Sequence, residues 1–128
     1  MSSAIRYYSR SGHTKSLAEA IAKGAGCEAA SVEVALPEYV DVLFIGSGLY
    51  AASLDKHLKA FLQGLDSKNV GKAVLFGTSS ITKRMFPLME KALAAKGIPV
   101  ETEVCYAKSQ PKQADLEAAE AFGKKYKG

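Results

Sequence analysis

Apolar and polar positions along the chain repeat with two periods, one typical of buried strands and one typical of amphipathic helices. The clearest strand is Val40–Ile45, which is almost continuously apolar, as expected for a parallel strand covered on both faces. The clearest helix is Leu54–Leu62, in which leucines and Phe61 recur every three or four residues, and Ser53 is its expected N-cap. The whole pattern predicts five strands that alternate with helices.

The weaker elements follow the same alternation. Pro87 fits only the first turn of the third helix, which ends near Lys96 and is followed by Gly97. Strands alternating with helices predict an α/β fold with a parallel, doubly wound sheet. The other strands are expected at Ala4–Tyr8, Ala29–Val34, Lys72–Phe76 and Val100–Tyr106, the first helix from His13 to Lys23 (closed by Gly24 and Gly26), and the last from Ser109 and Pro111 onward.

The connection between Val34 and Val40 is too short for a crossover helix, because a normal βαβ crossover needs about 10–12 residues or more. We interpret it as an extended crossover that contains at most one 3₁₀ turn. An antiparallel hairpin is the alternative, but the segment lacks the Asn-Gly or Asp-Gly turn that favours one.

Composition indicates one soluble domain over residues 1–128, without disulfides or a dithiol motif, since Cys27 and Cys105 are the only cysteines. The start of the chain lacks the features of a signal peptide and no apolar run could span a membrane, so a cytoplasmic protein is expected. The net charge is +4, but the basic residues are scattered, so nucleic acid is not an expected partner.

A hydroxyl-rich turn, Ser9–Thr14, stands between the first strand and the first helix. The first N–H groups of a helix lack internal partners and carry partial positive charge, so this position suits a phosphate. Hydroxyls of Ser9, Ser11 and Thr14 add donors, and Gly12 lets the backbone approach closely. The alternative is an ordinary turn in which Ser11 is only an N-cap.

Two segments of similar composition follow the third and fourth strands. Gly46–Ser53 and Gly77–Thr82 are rich in glycine and small hydroxyl residues, and the first holds one large aromatic residue, Tyr50. Ligands of open parallel sheets bind beyond the carboxyl ends of the strands, where the strand order reverses. Three such segments at one edge predict a ligand with a phosphate, a polar linker and a flat apolar ring.

Residues that other sites on such sheets need are missing. No cysteine nucleophile follows the first strand, and Ser9 and Ser47 stand where a receiver domain has carboxylates. Neither a dinucleotide fingerprint nor a Walker A sequence occurs, and His13 and His57 lack metal-ligand spacing. We therefore expect no metal site and assign no catalytic residue.

These segments resemble the flavodoxins, and the resemblance covers essentially the whole chain. Tyr8–Thr14 resembles the family's FMN phosphate loop, while Phe44–Tyr50 and Leu75–Thr78 resemble its two ring-contacting segments. The resemblance implies a three-layer fold with sheet order 2-1-3-4-5, a reduced second crossover helix and FMN as cofactor. The implied cofactor-binding residues are Ser9, Arg10, Ser11, Gly12, His13, Thr14, Ser47, Gly48, Leu49, Tyr50, Ala51, Gly77, Thr78, Ser79 and Ser80.

The chain departs from the family in two ways that bear on function. A second aromatic is common after the fourth strand, but this chain has Ser79, Ser80 and Ile81 there, so one ring face is expected to be covered by an aliphatic group or left open. Flavodoxins are typically acidic, whereas this chain is basic, so its redox partner protein is expected to be acidic. Lys56, just beyond the second segment, adds to that charge.

Three functions remain open from the sequence. The first is an FMN-binding electron carrier, favoured because neither ring segment contains an acid or base. The second is an FMN-dependent oxidoreductase with NAD(P)H or a quinone as partner, favoured by the basic surface and by the second ring segment, which lacks an aromatic residue. The third is a domain that keeps the fold but has lost the flavin.

Overall fold

The computed structural model describes residues 2–48, 54–80 and 82–127. All strand pairs within them are parallel, and the order β2-β1-β3-β4-β5 confirms the predicted sheet. The elements are β1 (Ser3–Tyr8), α1 (His13–Ala25), β2 (Ala29–Ser31), β3 (Val40–Gly48), α2 (Lys56–Gln63), β4 (Val70–Ser79), α3 (Met85–Ala94), β5 (Val100–Lys108) and α4 (Gln113–Tyr126).

Helices cover both faces of the sheet, which gives the three predicted layers. On one face α2 and α3 bury an aliphatic core that includes Leu43, Leu58 and Met89. On the other face α1 and α4 cover Phe44 and Phe76. Strands β3 and β4 are therefore buried on both sides, which explains their continuous apolar sequence.

Close contact between α1 and α4 explains two glycines. A Cβ at Gly24 would lie 1.8 Å from the carbonyl oxygen of Glu120, and one at Gly123 would lie 2.2 Å from that of Ile21. The expectation that Gly24 ends α1 is therefore wrong, since it lies within the helix at a backbone contact. Gly26 does end the helix, in the left-handed conformation with φ of 73°.

The connection from β2 to β3 is the predicted extended crossover, because β1 pairs in parallel with both strands. Its single turn is closed by the N–H of Val34, which donates to the carbonyl of Ser31. Buried Arg6 of β1 holds the segment by donating to the carbonyls of Val34 at 2.9 Å and Ala35 at 2.8 Å. Burial lowers the pKa of Arg6, an effect that Cys27 partly offsets.

Several element ends differ from the sequence prediction. Helix α2 begins later than expected, with Asp55 rather than Ser53 as its N-cap, and α4 begins at Gln113. Strand β2 stops at Ser31, where the crossover begins, although Val32 remains buried. Strands β3, β4 and β5 continue further than expected, because each finds a hydrogen-bonding neighbour along its whole carboxyl end.

Candidate functional site

Strand register brings the three predicted segments together. Tyr8 of β1 is paired with Ser47 of β3, and Gly48 of β3 is paired with Thr78 of β4. The ends of these strands consequently lie side by side at one edge of the sheet. Ser47, Gly48, Gly77, Thr78 and Ser79 were expected in loops, but they are the last residues of β3 and β4.

The first segment forms a tight turn into α1. Gly12 adopts φ of 91° and stands at the N-cap position, while the Ser9 hydroxyl accepts the Gly12 N–H at 3.0 Å. The alternative in which Ser11 caps the helix is therefore wrong: Ser11 is exposed at the turn, and His13 is the first helical residue. The turn leaves the amino terminus of α1 directed at the carboxyl edge of the sheet.

A buried hydroxyl pair links the first and third segments. The Oγ1 atoms of Thr14 and Thr78 lie 2.7 Å apart, and either can be the donor. Thr14 is 1% and Thr78 is 5% exposed. Because one proton suffices for the bond, the pair retains a second hydroxyl proton that can be donated elsewhere.

Arg10 connects this turn to α2 through an ion pair. Its guanidinium lies 2.7 Å from Asp55, the N-cap of α2, which also accepts from the backbone and ring nitrogens of His57. The His57 ring in turn stacks on Tyr8 with centroids 5.2 Å apart. Burial raises the pKa of Asp55, but the hydrogen bonds from Arg10 and His57 outweigh it and lower the pKa to about 2.

Tyr106 of β5 organises the third segment, and sequence reasoning missed it. Its hydroxyl donates to the carbonyl of Ser79 at 3.0 Å and lies 3.0 Å from the Ser79 hydroxyl, which itself bonds the carbonyl of Thr82. The ammonium of Lys83 sits 4.8 Å from the centre of the Tyr106 ring. The contact between Tyr106 and Ser79 is evident only once β5 is known to pair with β4, because the two residues are far apart in sequence.

A cavity of about 220 Å³ lies where the segments meet. Ser109, which follows β5 and has φ of 57°, adds a fourth segment, whereas the sequence pattern predicts this residue only as the start of the last helix. Five of the seven described residues that line it carry hydroxyls and none carries a carboxylate. The lining residues are Ser11, His13, Gly48, Thr78, Ser79, Ser80 and Ser109.

Other predicted residues fall outside this lining. The Ser47 hydroxyl is fully buried and donates to the carbonyl of Gly48 at 2.6 Å, so it supports the strand end. Leu49, Tyr50 and Ala51 lie outside the described residues.

A larger cavity of about 370 Å³ lies between α2 and α3. Leu54, Leu62, Leu88 and Ala92 make its lining mainly apolar, and Lys59 and Lys96 add two cations but no described hydroxyl. The three predicted segments meet at the smaller cavity instead, which makes the smaller cavity the better candidate site. Among the described residues, no group of three His, Cys, Asp or Glu side chains could hold a metal ion, and none of the helices is long and apolar enough to cross a membrane.

Comparison with known proteins agrees with this geometry. Residues 4–121 match the family model of a flavodoxin domain. No curated protein matches the sequence.

Solved structures with the same fold include two flavodoxins and one oxidoreductase. A flavodoxin from the domain Archaea superposes with a TM-score of 0.87 at 20% identity, covering 98% of this chain and 95% of its own. Oxidised flavodoxin 1 from Bacillus cereus superposes with a TM-score of 0.78 at 19% identity, and the match covers 94% of this chain and 93% of that flavodoxin. Rubredoxin oxygen:oxidoreductase from Desulfovibrio gigas superposes with a TM-score of 0.79 at 18% identity, and the match covers 94% of this chain but only 34% of the oxidoreductase.

Proposed function

The chain belongs to the flavodoxin family, and we propose that it binds FMN at the carboxyl edge of its sheet and carries electrons between partner proteins. Membership of the family implies FMN as the cofactor. Bound FMN supplies the redox chemistry, whereas the protein binds it, orients it and sets its electrostatic surroundings. The observation that carries the proposal is the hydroxyl-lined cavity in which all three segments meet.

The donor set at this cavity fits a phosphate. The amino terminus of α1 presents backbone N–H groups, and Ser11 stands exposed beside them on the cavity wall. The Ser9 hydroxyl accepts from Gly12, so its own proton remains to be donated. A helix terminus with hydroxyls can hold a phosphate dianion without a lysine.

The remainder of the lining supports a carrier rather than an enzyme. His13 is the one titratable side chain among the described residues that line the cavity. It is the first residue of α1, so its backbone N–H belongs to the donors of the helix terminus. Described aspartate or glutamate side chains that could exchange a proton with a substrate are not found in this lining.

The phosphate site is tested by replacing Ser11 with aspartate. Ser11→Asp should abolish FMN binding, because its carboxylate would repel the phosphate, but should affect riboflavin far less. Ser67→Asp, which adds the same charge in an exposed segment at the opposite edge, is the control and should bind both flavins normally. Titration of each flavin into the apoprotein, with thermal unfolding to verify folding, measures the effect. Equal losses for both flavins, or no loss for FMN, would show that the turn is not a phosphate site.

A second experiment distinguishes the carrier from the reductase and from a flavin-free domain. The protein purified without added cofactor should show the visible flavin bands. It should not oxidise NADH or NADPH catalytically with a quinone in air. Sustained, flavin-dependent turnover would establish the oxidoreductase instead, and failure to bind FMN at any concentration tested would establish the flavin-free domain.

A further inference from the structure

Positive charge collects at the edge of the sheet that carries the cavity. The edge comprises the described residues from the last residue of each strand through the first turn of the helix that follows, and through Val34 after β2. This edge has eight cations and three carboxylates, a net charge of +5, whereas the nine cations and ten carboxylates elsewhere leave −1. The cations are Arg10, Lys15, Lys56, Lys59, Lys83, Arg84, Lys108 and Lys112, and all are exposed.

Two of the three carboxylates at this edge do little to offset that charge near the cavity, and the third, Asp115, offsets part of it beside Lys112. Asp55 is buried and already compensated by Arg10. Asp115 accepts the backbone N–H of Lys112 at 2.9 Å, where it stabilises the amino terminus of α4. Glu33 follows β2, which is at the opposite end of the sheet from β4 and β5.

Four of the cations form what we call the basic rim: Lys83 and Arg84 after β4, and Lys108 and Lys112 at the end of β5 and just beyond it. Tyr106 holds Lys83 by its ring and Ser79 by its hydroxyl, and Ser79 lines the cavity. Lys108 directly precedes the cavity-lining Ser109, so both loops that carry the rim also contribute to the cavity wall.

We propose that the basic rim is the docking surface for an acidic redox protein. This inference rests on the proposed function, because it places the partner where electrons would reach the bound flavin. The rim spans two loops and the start of α4, which is too extended for one small anion but suits a protein surface of opposite charge. Complementary charge of this kind accelerates association and orients the partners.

Nucleic acid fits the rim less well. Binding of single strands relies on aromatic side chains on which bases stack. The exposed large apolar side chains among the described residues are Val34 and Tyr39, and both lie in the crossover rather than on the rim. An acidic protein therefore fits the rim better than nucleic acid does.

Electron transfer to small acceptors measures the charge at the rim. The FMN-loaded protein is reduced with dithionite and then oxidised by ferricyanide, a trianion, or by hexaammineruthenium(III), a trication. The double variant Lys83→Glu/Lys108→Glu should be oxidised about tenfold more slowly by ferricyanide at low salt and faster by the trication. Both changes in rate should shrink as added salt screens the charges. The control Lys68→Glu/Lys96→Glu makes the same change in net charge at the opposite edge and should alter both rates less than twofold.

Competition identifies the class of partner. Poly-L-glutamate should bind wild-type protein and slow ferricyanide oxidation, and the rim variant should lose both effects. Equal effects of the rim and control variants would overturn the proposal, as would competition by oligo(dT) but not by poly-L-glutamate. If the protein takes up no FMN, binding of poly-L-glutamate to the apoprotein still tests the rim, so failure of the two proposals can be told apart.

Discussion

The hydroxyl pair beneath the cavity allows a test of how the phosphate turn is joined to the end of β4. Thr14 and Thr78 share one buried hydrogen bond of 2.7 Å. Valine has nearly the shape of threonine, so Thr14→Val, Thr78→Val and the double variant remove hydroxyls with little change in volume. Removing one partner of a buried bond leaves the other unsatisfied, whereas removing both leaves no polar group behind.

The two single variants should differ because the partners are buried to different depths. Thr14→Val leaves Thr78, which lines the cavity and can be hydrated there, so we expect a loss of about 1 kcal/mol. Thr78→Val leaves the deeper Thr14 hydroxyl unsatisfied, so a loss of about 2 kcal/mol is expected. The double variant should lose only about 1 kcal/mol, well under the sum, which corresponds to a coupling of about 2 kcal/mol.

Urea unfolding of the apoprotein measures these free energies, with Thr102→Val, an exposed change on β5, as the control that should stay within about 0.5 kcal/mol of wild type. FMN titration adds a functional readout: the double variant should bind FMN at least tenfold more weakly and riboflavin as before, because the spare hydroxyl proton is gone. Additive stability changes would refute the role of the bond, and unchanged FMN affinity would refute its role in phosphate binding.

Three further predictions follow from contacts outside this pair. Arg6→Met removes the hydrogen bonds from the guanidinium that hold the crossover. The variant should therefore lose about 2 kcal/mol of unfolding free energy, measured in urea, and should be cleaved faster by chymotrypsin at exposed Tyr39. Unchanged cleavage would contradict this. Asp55→Asn keeps an N-cap but loses the ion pair with Arg10, so the free energy of unfolding should fall by about 1 kcal/mol at pH 7. Since the pKa of Asp55 is lowered from 3.8 to about 2 on folding, the difference should be complete above about pH 4 and vanish as pH falls through 2, as pH-dependent thermal unfolding would show. Ser109 has φ of 57°, a conformation that strains serine but suits glycine. Ser109→Gly should therefore raise the free energy of unfolding of the apoprotein by about 1 kcal/mol, whereas Ser109→Ala should not. Equal melting temperatures for the two variants would count against backbone strain at this residue.

The sheet, and the edge of it that carries the cavity, could be predicted because they depend on patterns that are local in sequence. Hydrophobic periodicity locates the strands, and parallel pairing places every carboxyl end at one edge. The ends of β3 and β4 could not be located in this way. Glycine and serine there indicate a turn, but pairing between Ser47 and Gly77, and between Gly48 and Thr78, extends both strands instead.

Contacts between distant segments were also beyond prediction. The sequence shows that Arg6 lies in a strand that must be buried, but two of its three acceptors are backbone carbonyls 28 and 29 residues away, which carry no sequence signal. Tyr106 and Ser109 belong to the last strand and its loop, and they reach the site only because β5 pairs with β4 up to Ser79. Residues of this kind become visible once the register is known.

Charge segregation shows most clearly how topology adds information to a sequence. Lysines and arginines look scattered along the chain, and on that pattern nucleic acid is not an expected partner. The alternating fold sorts them, because every loop from a strand to a helix lies at one edge of the sheet and every loop from a helix to a strand at the other. Loops of the second kind carry Glu28 and Asp66 together with Lys68 and Lys96, while those of the first kind carry the basic rim. A charge pattern with the period of the βα unit therefore produces a single basic face, although no stretch of the sequence is strongly basic.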